Sequence, residues 1–331
     1  MSAAFVSPSS WDDAVAEKAA RPELVPIAGG TGVLPELAAG GHLADGHHGC
    51  PDGPPPPVAL LDLTRIHGGT RWYREHDTIR IGSTMSYTQI IAELGAFAPG
   101  LVAASRTVGS PQIRNRGTLG GNLGTAAADG DATLPLLAAG AAVEIASVRG
   151  LRQVPLTEFV TTAGRPPLEP DELIHSVRVP VAVGPEEFAK VGRRTTMTRS
   201  ICALSIALDA VAGTAGVAVG AAAPVPLRAG AAEAFLAAEL AGQGLWTSRA
   251  DLGEPLLRHF GDLVAAAAVP VTDLRGPAGY RRQVLAVLGR RLLERAWRRH
   301  QDGSWPASRQ AADTQATETQ GTSPGQEDTC D

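Results

Sequence analysis

Two glycine-rich segments constrain this chain more than any other feature of its sequence. They read AGGTG at residues 28–32 and RGTLGGNLGT at residues 116–125. The first directly follows a buried strand that we predict over residues 24–28. Paired glycines after a strand let backbone N–H groups converge without interference from Cβ atoms, and such a concave nest binds anions, above all phosphate. We therefore predict that the two segments hold a diphosphate from two sides.

Polar side chains within and just beyond these segments fit the same chemistry. Thr31, Thr118 and Thr125 offer hydroxyl groups, and Asn122 offers an amide. Asp131 is placed to accept hydrogen bonds from a ribose. The alternative is that both segments are tight turns in a glycine-rich protein, since the chain holds 38 glycines. Residue spacing alone leaves these two interpretations equally open.

Neither segment is a standard nucleotide-binding fingerprint. In a dinucleotide-binding G-x-G-x-x-G motif that begins at Gly30 and Gly32, the third glycine is replaced by Pro35. The phosphate-binding motif G-x-x-x-x-G-K-[ST] is absent, and the chain contains only two lysines, Lys18 and Lys190. The sequence therefore disfavours both a Rossmann dehydrogenase and a P-loop protein.

Charge and cysteine content exclude further classes. Residues 301–331 hold six acidic residues and one arginine, so this segment carries the whole net charge of −5 and the rest of the chain is neutral. A neutral body gives no reason to expect binding to nucleic acid. Three cysteines form neither a disulfide framework nor the usual four-thiolate set of an iron–sulfur cluster. Cys50 and the histidines near it are expected in a solvated loop, and we predict no metal site and no catalytic residue.

The sequence predicts neither a membrane span nor a targeting segment. The longest apolar stretch, residues 201–227, is interrupted by several glycines, by Asp209 and by Pro224, whereas a span needs about 20 consecutive apolar residues. We expect two buried strands joined by a glycine turn in this stretch. The N-terminus lacks a basic region followed by an apolar run. With so few cysteines, a reducing cytoplasm is the expected compartment.

The order of predicted elements indicates two domains. We expect helices over residues 11–20, 34–39, 87–97, 134–139, 231–240 and 280–299, and strands over 58–63, 78–82, 142–146 and 173–179. The last helix places Tyr280, Val284, Leu288, Leu292 and Ala296 on one apolar stripe. The predicted N-terminal domain covers 1–182, with lobes of about 1–60 and 61–182 and a Pro/His-rich insertion at 42–57. A C-terminal domain of short antiparallel sheet and helices covers 183–300, and a disordered acidic tail covers 301–331.

Five segments in a fixed order resemble the FAD-binding subunit of the molybdenum hydroxylases, the family of xanthine dehydrogenase and aerobic carbon monoxide dehydrogenase. They are PIAGGTGVLPEL from residue 26, SPQIRNRGTLGGNLGTAAADGDATLPLLAAGA from 110, FAKVGRR from 188, AGVAVGAAAPVPLRAGAAEAFL from 215 and DLRGPAGYRRQVLAVLGRRLLERA from 273. Each segment alone is a weak signal. Their joint order, from about residue 5 to residue 299, makes the resemblance specific.

The resemblance implies an α+β fold: a two-lobed FAD-binding domain of the vanillyl-alcohol oxidase (PCMH) type, with a smaller C-terminal α+β domain over the flavin. The first segment would cradle the diphosphate of FAD, and the second would form the opposite side. Asp131 would bind a ribose, Ile174 would touch the isoalloxazine, and Lys190 would lie near that ring. The implied FAD-binding residues are Pro26, Ile27, Ala28, Gly29, Gly30, Thr31, Gly32, Val33, Val108, Gly117, Thr118, Gly120, Gly121, Asn122, Thr125, Asp131, Ile174 and Lys190.

Two positions stand out against the family pattern. The family usually has Ser-Pro where this chain has Ala127-Ala128, so we expect one hydroxyl contact to be absent. Lys190 is an unusual choice in a chain that otherwise uses arginine. Its compact ammonium near the flavin would favour a reduced, anionic ring.

The family also implies a role and partners. A chain of this kind passes electrons from iron–sulfur clusters to an external acceptor such as NAD, and its partners are a small iron–sulfur subunit and a large molybdopterin subunit. The sequence shows no nucleophile or paired-carboxylate pattern, which suits a protein whose cofactor carries the chemistry. Two alternatives stay open: a self-contained flavin oxidoreductase of the same fold, and a flavin-free assembly subunit.

Overall fold

The computed structural model describes residues 5–38, 59–164, 166–194 and 199–305. The predicted insertion at 42–57 and the tail beyond residue 305 lie outside these residues. The strands are β1 (Phe5–Val6), β2 (Val25–Ile27), β3 (Leu60–Asp62), β4 (Trp72–Glu75), β5 (Thr78–Gly82), β6 (Ala142–Ser147), β7 (Gly150–Pro155), β8 (Leu173–Pro180), β9 (Glu186–Gly192), β10 (Ser200–Asp209), β11 (Thr214–Gly220) and β12 (Leu227–Arg228). The helices are α1 (Trp11–Ala20), α2 (Val33–Ala38), α3 (Tyr87–Glu93), α4 (Pro99–Thr107), α5 (Pro111–Arg116), α6 (Leu119–Gly124), α7 (Thr133–Ala138), α8 (Leu156–Phe159), α9 (Gly230–Gly242), α10 (Leu245–Ser248), α11 (Glu254–Ala267) and α12 (Ala278–Asp302).

A small parallel sheet leads into the first glycine-rich segment. Its strand order is β1-β3-β2, and Ile27 at the end of β2 pairs with Asp62 on β3. Helix α1 begins as predicted, because the Ser10 side chain accepts a hydrogen bond from the Asp13 amide. Ala14 and other apolar residues of α1 share a small core with the sheet. This packing fixes the direction in which the chain leaves β2.

A five-stranded antiparallel sheet supports the second segment. The order is β4-β5-β8-β6-β7, so β8 lies at its centre. Apolar residues of α3, α4, α6 and α7 join this sheet in one core, with Ile90, Leu101, Leu119 and Leu137 fully buried. Helix α3 starts with a capping box in which Ser86 and Gln89 satisfy each other's backbone amides. The sheet therefore provides a rigid base for the helices that carry residues 116–125.

The remaining residues form a four-stranded antiparallel sheet with helices packed on it. The order is β12-β11-β10-β9. The apolar stretch 201–227 supplies β10 and β11, which pair antiparallel around Gly213 at φ +68°, so the predicted pair of buried strands is confirmed. Helices α9, α11 and α12 pack on this sheet through Leu236, Phe260 and Leu293, all of them fully buried.

One predicted helix is too long, and helix α11 is missing from the predictions. The helix predicted over 87–97 ends at Glu93, and a separate helix, α4, begins at Pro99. Gly95 and Pro99 interrupt the helical pattern here, because glycine weakens a helix and proline at the first turn favours a new start. Helix α11 was not predicted at all, although its apolar face contributes Phe260 and Val264 to the core.

The stripe predicted on the last helix is also partly wrong. Tyr280 is 45% exposed, whereas its neighbour Arg281 is buried. The Arg281 guanidinium donates to the Ala221 carbonyl at 3.2 Å and pairs with Asp273. A buried arginine whose terminal nitrogens are paired in this way can lie on the core face of the helix, and a pattern based on apolar residues misses it.

One predicted boundary falls between two strands, and the other falls within a strand. Residue 182 lies in the link between β8 and β9, whereas residue 60 lies inside β3. Helix α12 runs to Asp302, two residues into the segment predicted as a tail. The division into domains stays a prediction. Among the described residues, no helix combines the length and the apolar content that crossing a membrane requires.

Candidate functional site

The structure brings the two glycine-rich segments into direct contact. A Cβ atom built on Gly29 would lie 1.8 Å from the Arg116 carbonyl oxygen and 3.0 Å from the Gly117 nitrogen. At the other end, a Cβ atom on Gly32 would lie 3.5 Å from Cγ2 of Thr125. Only glycine at position 29 permits this approach of one backbone to another. Residues 28–32 therefore lie along the second segment from its start to its end.

The first segment is a turn with free donors. Gly30 has φ +74°, and its carbonyl accepts a hydrogen bond from the Leu34 amide at 3.1 Å as α2 begins. The amides of residues 29–32 have no acceptor among the described residues. Residues 28–33 are all half-buried, so these donors are reachable from outside. Unpaired backbone amides in such a turn are suited to an anionic group.

The second segment is not the loop that we predicted. Gly120 and Gly121 lie in helix α6, and α6 follows helix α5 rather than a strand. The amide of Gly120 donates to the Ser83 carbonyl at 2.7 Å, and the amide of Gly121 donates to Oγ1 of Thr118 at 3.1 Å. These amides are therefore used within the fold. The prediction of two bare amide nests is wrong for this segment.

The glycines of α6 let the helix approach a neighbouring segment closely, and they leave part of its surface without side chains. A Cβ atom on Gly120 would lie 2.6 Å from Cβ of Ser83, so this glycine lets α6 sit directly on the chain after β5. Gly121 and Gly124, three residues apart in α6, are exposed. A helix face without side chains leaves room for a ligand along it.

Side chains of α6 supply the donors that its amides lack. The Thr118 hydroxyl accepts from the Gly121 amide and so keeps its own hydrogen available. Oδ1 of Asn122 accepts from Oγ1 of Thr133 at 3.1 Å, which leaves the amide nitrogen of Asn122 as a donor. The Thr125 hydroxyl donates to the Asn122 carbonyl at 2.8 Å. This side of the site thus offers hydroxyl and amide groups rather than backbone N–H groups.

Asp131 and Lys190 form an ion pair beside the second segment. Their side chains are 11% and 10% exposed, and the other carboxylate oxygen of Asp131 accepts from Oγ of Ser200 at 3.0 Å. Burial raises the pKa of Asp131, although Lys190 and the hydrogen bond from Ser200 act in the opposite direction. Lys190 comes from β9 and Ser200 from β10, so the pair joins the C-terminal sheet to the chain after α6.

The other predicted residues surround these groups. Ile174 on β8 is 8% exposed, with its Cδ1 atom 3.7 Å from the Cβ position of Gly124. Pro26 and Ile27 belong to β2, and Ile27 is buried. Val108 ends α4, and its carbonyl accepts from Nη1 of Arg114 at 3.1 Å. Among the described residues, no hydrogen bond joins Val108 to the groups above.

Two residues near the site were not predicted. The Tyr87 amide donates to the Gly117 carbonyl at 3.1 Å, and Ser200 bonds Asp131. The sequence did signal the position of Tyr87, because Ser86 can cap a helix and Tyr87 would be the first residue of that helix. Ser200 had no such signal, because its place beside Asp131 follows from the pairing of β10 with β9, which the structure shows.

The arrangement as a whole fits a dinucleotide with a diphosphate. Free amides on residues 29–32 face hydroxyl and amide donors on α6, and a carboxylate able to bind sugar hydroxyls lies beyond them. Within the described ranges, no group of three or more His, Cys, Asp and Glu side chains could hold a metal ion. Cys50 and its neighbouring histidines lie outside those ranges.

Comparison with known proteins identifies the family. The sequence family described as the FAD binding domain in molybdopterin dehydrogenase matches residues 52–182. The putative xanthine dehydrogenase FAD-binding subunit of Escherichia coli K12 is 34% identical over 231 residues, which are 67% of this chain and 74% of that protein. The chain belongs to the FAD-binding medium subunits of the molybdenum hydroxylases. The resemblance inferred from the sequence is thereby confirmed, together with FAD as the cofactor and with the class of oxidoreductase subunits.

Further relatives agree with this membership. The carbon monoxide dehydrogenase medium chain of Afipia carboxidovorans is 31% identical over 280 residues, 82% of this chain and 88% of that one. A solved structure of carbon monoxide dehydrogenase from Hydrogenophaga pseudoflava has a TM-score of 0.77 at 26% identity, and the match covers 89% of this chain and 97% of that chain. The predicted fold class, an α+β protein of the PCMH type, is confirmed for this medium subunit.

Proposed function

We propose that this medium subunit carries FAD and passes electrons from iron–sulfur clusters to an external acceptor such as NAD. Its partners in this proposal are a small iron–sulfur subunit and a large molybdopterin subunit. The observation that carries the proposal is the contact of Gly29 with the Arg116 carbonyl. That contact joins two distant segments in one site, and the site is built for holding a dinucleotide.

The residues of this chain divide the binding task among them. The amides of residues 29–32 bind the diphosphate, and Thr118 and Asn122 bind it from the opposite side. Asp131 accepts hydrogen bonds from sugar hydroxyls, and Ile174 flanks the flavin. FAD, when bound, supplies the redox chemistry. The protein contributes position and electrostatics, with Lys190 as the cation on the C-terminal side of the site.

Two alternatives are less well supported. A self-contained oxidoreductase needs an acid or base free to act on a substrate, whereas Asp131 and Lys190 are paired with each other in this site. A flavin-free assembly subunit has no need of four reachable amides without an acceptor. The relatives are also named as subunits or medium chains of larger enzymes.

An anaerobic reduction experiment tests the proposal. The purified chain is loaded with FAD, separated from free flavin, and mixed with NADH while the visible flavin absorption is followed. We expect retained FAD and bleaching by NADH, because electron exchange with the external acceptor requires only this subunit. Small organic substrates of hydroxylases should cause no bleaching unless the partner subunits are added.

Three other outcomes of this experiment would each contradict a different part of the proposal. Bleaching by a small organic substrate without partners would support the self-contained oxidoreductase. Bleaching by dithionite but not by NADH would exclude NAD as the acceptor. A chain that retains no FAD would contradict the proposal as a whole. Free FAD with NADH but without protein is the control for direct reduction.

A further inference from the structure

Tyr87 lies directly behind the point where the two glycine-rich segments meet. It is the first residue of α3 and only 4% exposed. Its amide donates to the Gly117 carbonyl at 3.1 Å, and its Cε2 atom would lie 3.0 Å from a Cβ atom on Gly117. The phenol ring is therefore held against the backbone that also contacts Gly29.

The hydroxyl of Tyr87 makes no hydrogen bond to any described residue. Buried tyrosine hydroxyl groups usually have a partner. The hydroxyls of Ser83 and Thr84 nearby also lack one, but both are fully enclosed by protein atoms. The Tyr87 hydroxyl is not among the enclosed groups, so it reaches open space from an otherwise buried side chain. Of these three hydroxyl groups, that of Tyr87 is therefore the one that a ligand can approach.

The hydroxyl of Tyr87 also lies near a negative charge. Burial raises the pKa of Tyr87 well above its usual value, and the negative charge of Asp131 raises it further. The hydroxyl therefore lies within electrostatic range of the Asp131 carboxylate and keeps its proton at neutral pH. Asp131 already accepts from Lys190 and Ser200, and no hydrogen bond links it to Tyr87.

We propose that the Tyr87 hydroxyl is a further FAD-binding group, which donates a hydrogen bond to a sugar hydroxyl of the bound cofactor. A sugar hydroxyl suits this place because it both donates and accepts, so that one group can serve the Asp131 carboxylate and the Tyr87 hydroxyl together. An ionised phosphate oxygen only accepts hydrogen bonds, so it could not donate to the Asp131 carboxylate as well. This inference rests on the proposed function, because it takes FAD to lie along residues 29–32 and 117–125.

The test is the variant Tyr87→Phe, which removes the hydroxyl and keeps the ring. FAD is titrated into the apoprotein, and binding is followed by the quenching of flavin fluorescence. We expect the dissociation constant for FAD to rise about fivefold to tenfold, the loss of one hydrogen bond. Thermal unfolding of the apoprotein should be unchanged, since the hydroxyl bonds no described residue. Tyr73→Phe is the matched control, because Tyr73 is 50% exposed on β4, and it should leave both measurements unchanged.

The outcomes separate this inference from the proposed function. Equal FAD affinity in Tyr87→Phe and in the wild-type protein would overturn the role of Tyr87 and leave the proposed function intact. A variant whose apoprotein is destabilised or fails to fold would assign the hydroxyl a structural role and also overturn the inference. A wild-type chain that binds no FAD would overturn both.

Discussion

At the scale of single residues, the site depends on how one buried carboxylate is balanced. Asp131 has a cation on one oxygen, from Lys190, and a hydroxyl donor on the other, from Ser200. Burial still raises its pKa, so the desolvation of the charged form outweighs its stabilisation by these two partners. A carboxylate in this state is sensitive to the loss of either partner.

Removing the cation should therefore destabilise the protein. We predict that Lys190→Met lowers the free energy of unfolding by about 3 kcal/mol at neutral pH, because it leaves a buried carboxylate without its counter-charge. Adding Asp131→Asn to this variant should restore most of the loss, since asparagine still accepts from Ser200. Urea unfolding of the two single variants and the double variant measures the coupling. Additive effects of the two substitutions would contradict the prediction. Glu294→Gln, in the exposed pair with Arg298, should cause no measurable change.

A second carboxylate, Glu186, makes stability depend on pH. It is buried at the start of β9 and accepts one hydrogen bond, at 2.8 Å, from the Gly100 amide at the beginning of α4. Burial raises its pKa to about 7 from 4.5. The folded state therefore binds this proton more tightly than the unfolded state does. Its contribution to stability is complete below pH 4.5 and is lost as the pH rises through 7.

Glu186→Gln should remove this dependence, because glutamine mimics the protonated acid. We predict that the variant is more stable than the wild-type protein at pH 8, by up to about 3 kcal/mol, and that the two are equal near pH 4.5. Urea unfolding curves at pH 5 and pH 8 check this expectation. A variant that is less stable than the wild-type protein at pH 8 would show that the carboxylate is charged in the fold at little cost.

At the scale of elements, the site depends on a backbone contact between the turn after β2 and the end of α5. Gly29 lies so close to the Arg116 carbonyl that a single methyl group cannot be placed there. A substitution at this position must separate the two segments, whereas the elements that carry them have their own cores. The contact thus controls binding more than it controls folding.

Gly29→Ala should accordingly reduce FAD binding sharply. We predict at least a hundredfold weaker binding, since both sides of the diphosphate site move apart, with apoprotein stability lowered by about 1–2 kcal/mol. Equilibrium dialysis of FAD and urea unfolding measure the two effects. Gly95→Ala is the matched control, because a Cβ atom there would meet nothing within 4 Å. FAD occupancy of Gly29→Ala equal to that of the control would show that the contact is not part of the site.

The elements also show how far sequence reasoning reaches. The Ser10 cap correctly predicted α1, because a helix N-cap is a local signal. Short apolar segments correctly predicted β5 and β8, and the long apolar stretch with its glycine turn predicted the pair β10–β11. Helix α6 was not predicted, since its glycines oppose a helix. It forms because the Thr118 side chain caps its first turn, a local contact, and because the Gly120 amide donates to the Ser83 carbonyl, a tertiary contact. Such contacts between distant parts of the chain leave no local pattern.

The same limit applies to the site. Glycines, threonines and Asn122 could be proposed as binding groups from the sequence because their chemistry is local. The pairing of Asp131 with Lys190 was not, since both had been expected to face the cofactor independently. Their contact arises from the way β9 packs beside the chain after α6. Sequence spacing cannot specify that arrangement.

At the scale of the whole molecule, one ligand should bind to segments from several parts of the chain. The candidate site draws on helix α6 and on β2, β8 and β9, and each of these strands belongs to a different one of the three sheets described. A ligand that contacts all of them stabilises the folded chain as a unit, because it binds the native state and not the unfolded state.

FAD should therefore raise the thermal midpoint of the entire chain. At a free concentration about one hundred times the dissociation constant, the gain is about 2.7 kcal/mol, which corresponds to a rise of several degrees. Differential scanning calorimetry with FAD, and with riboflavin as a ligand lacking the diphosphate, measures it. A shift produced equally by riboflavin would contradict the assignment of the diphosphate to residues 29–32.

The contact of Gly29 with Arg116 has a consequence for the time at which the protein acquires its flavin. During translation the turn after β2 leaves the ribosome well before residues 116–125, which lie opposite it in the folded chain, have been synthesised. At about 5–20 residues per second, the intervening chain takes roughly 4 to 17 seconds to synthesise. Over that interval the nascent polypeptide has one side of the proposed diphosphate site and not the other, so the proposed site can take up flavin only at a late stage of biogenesis.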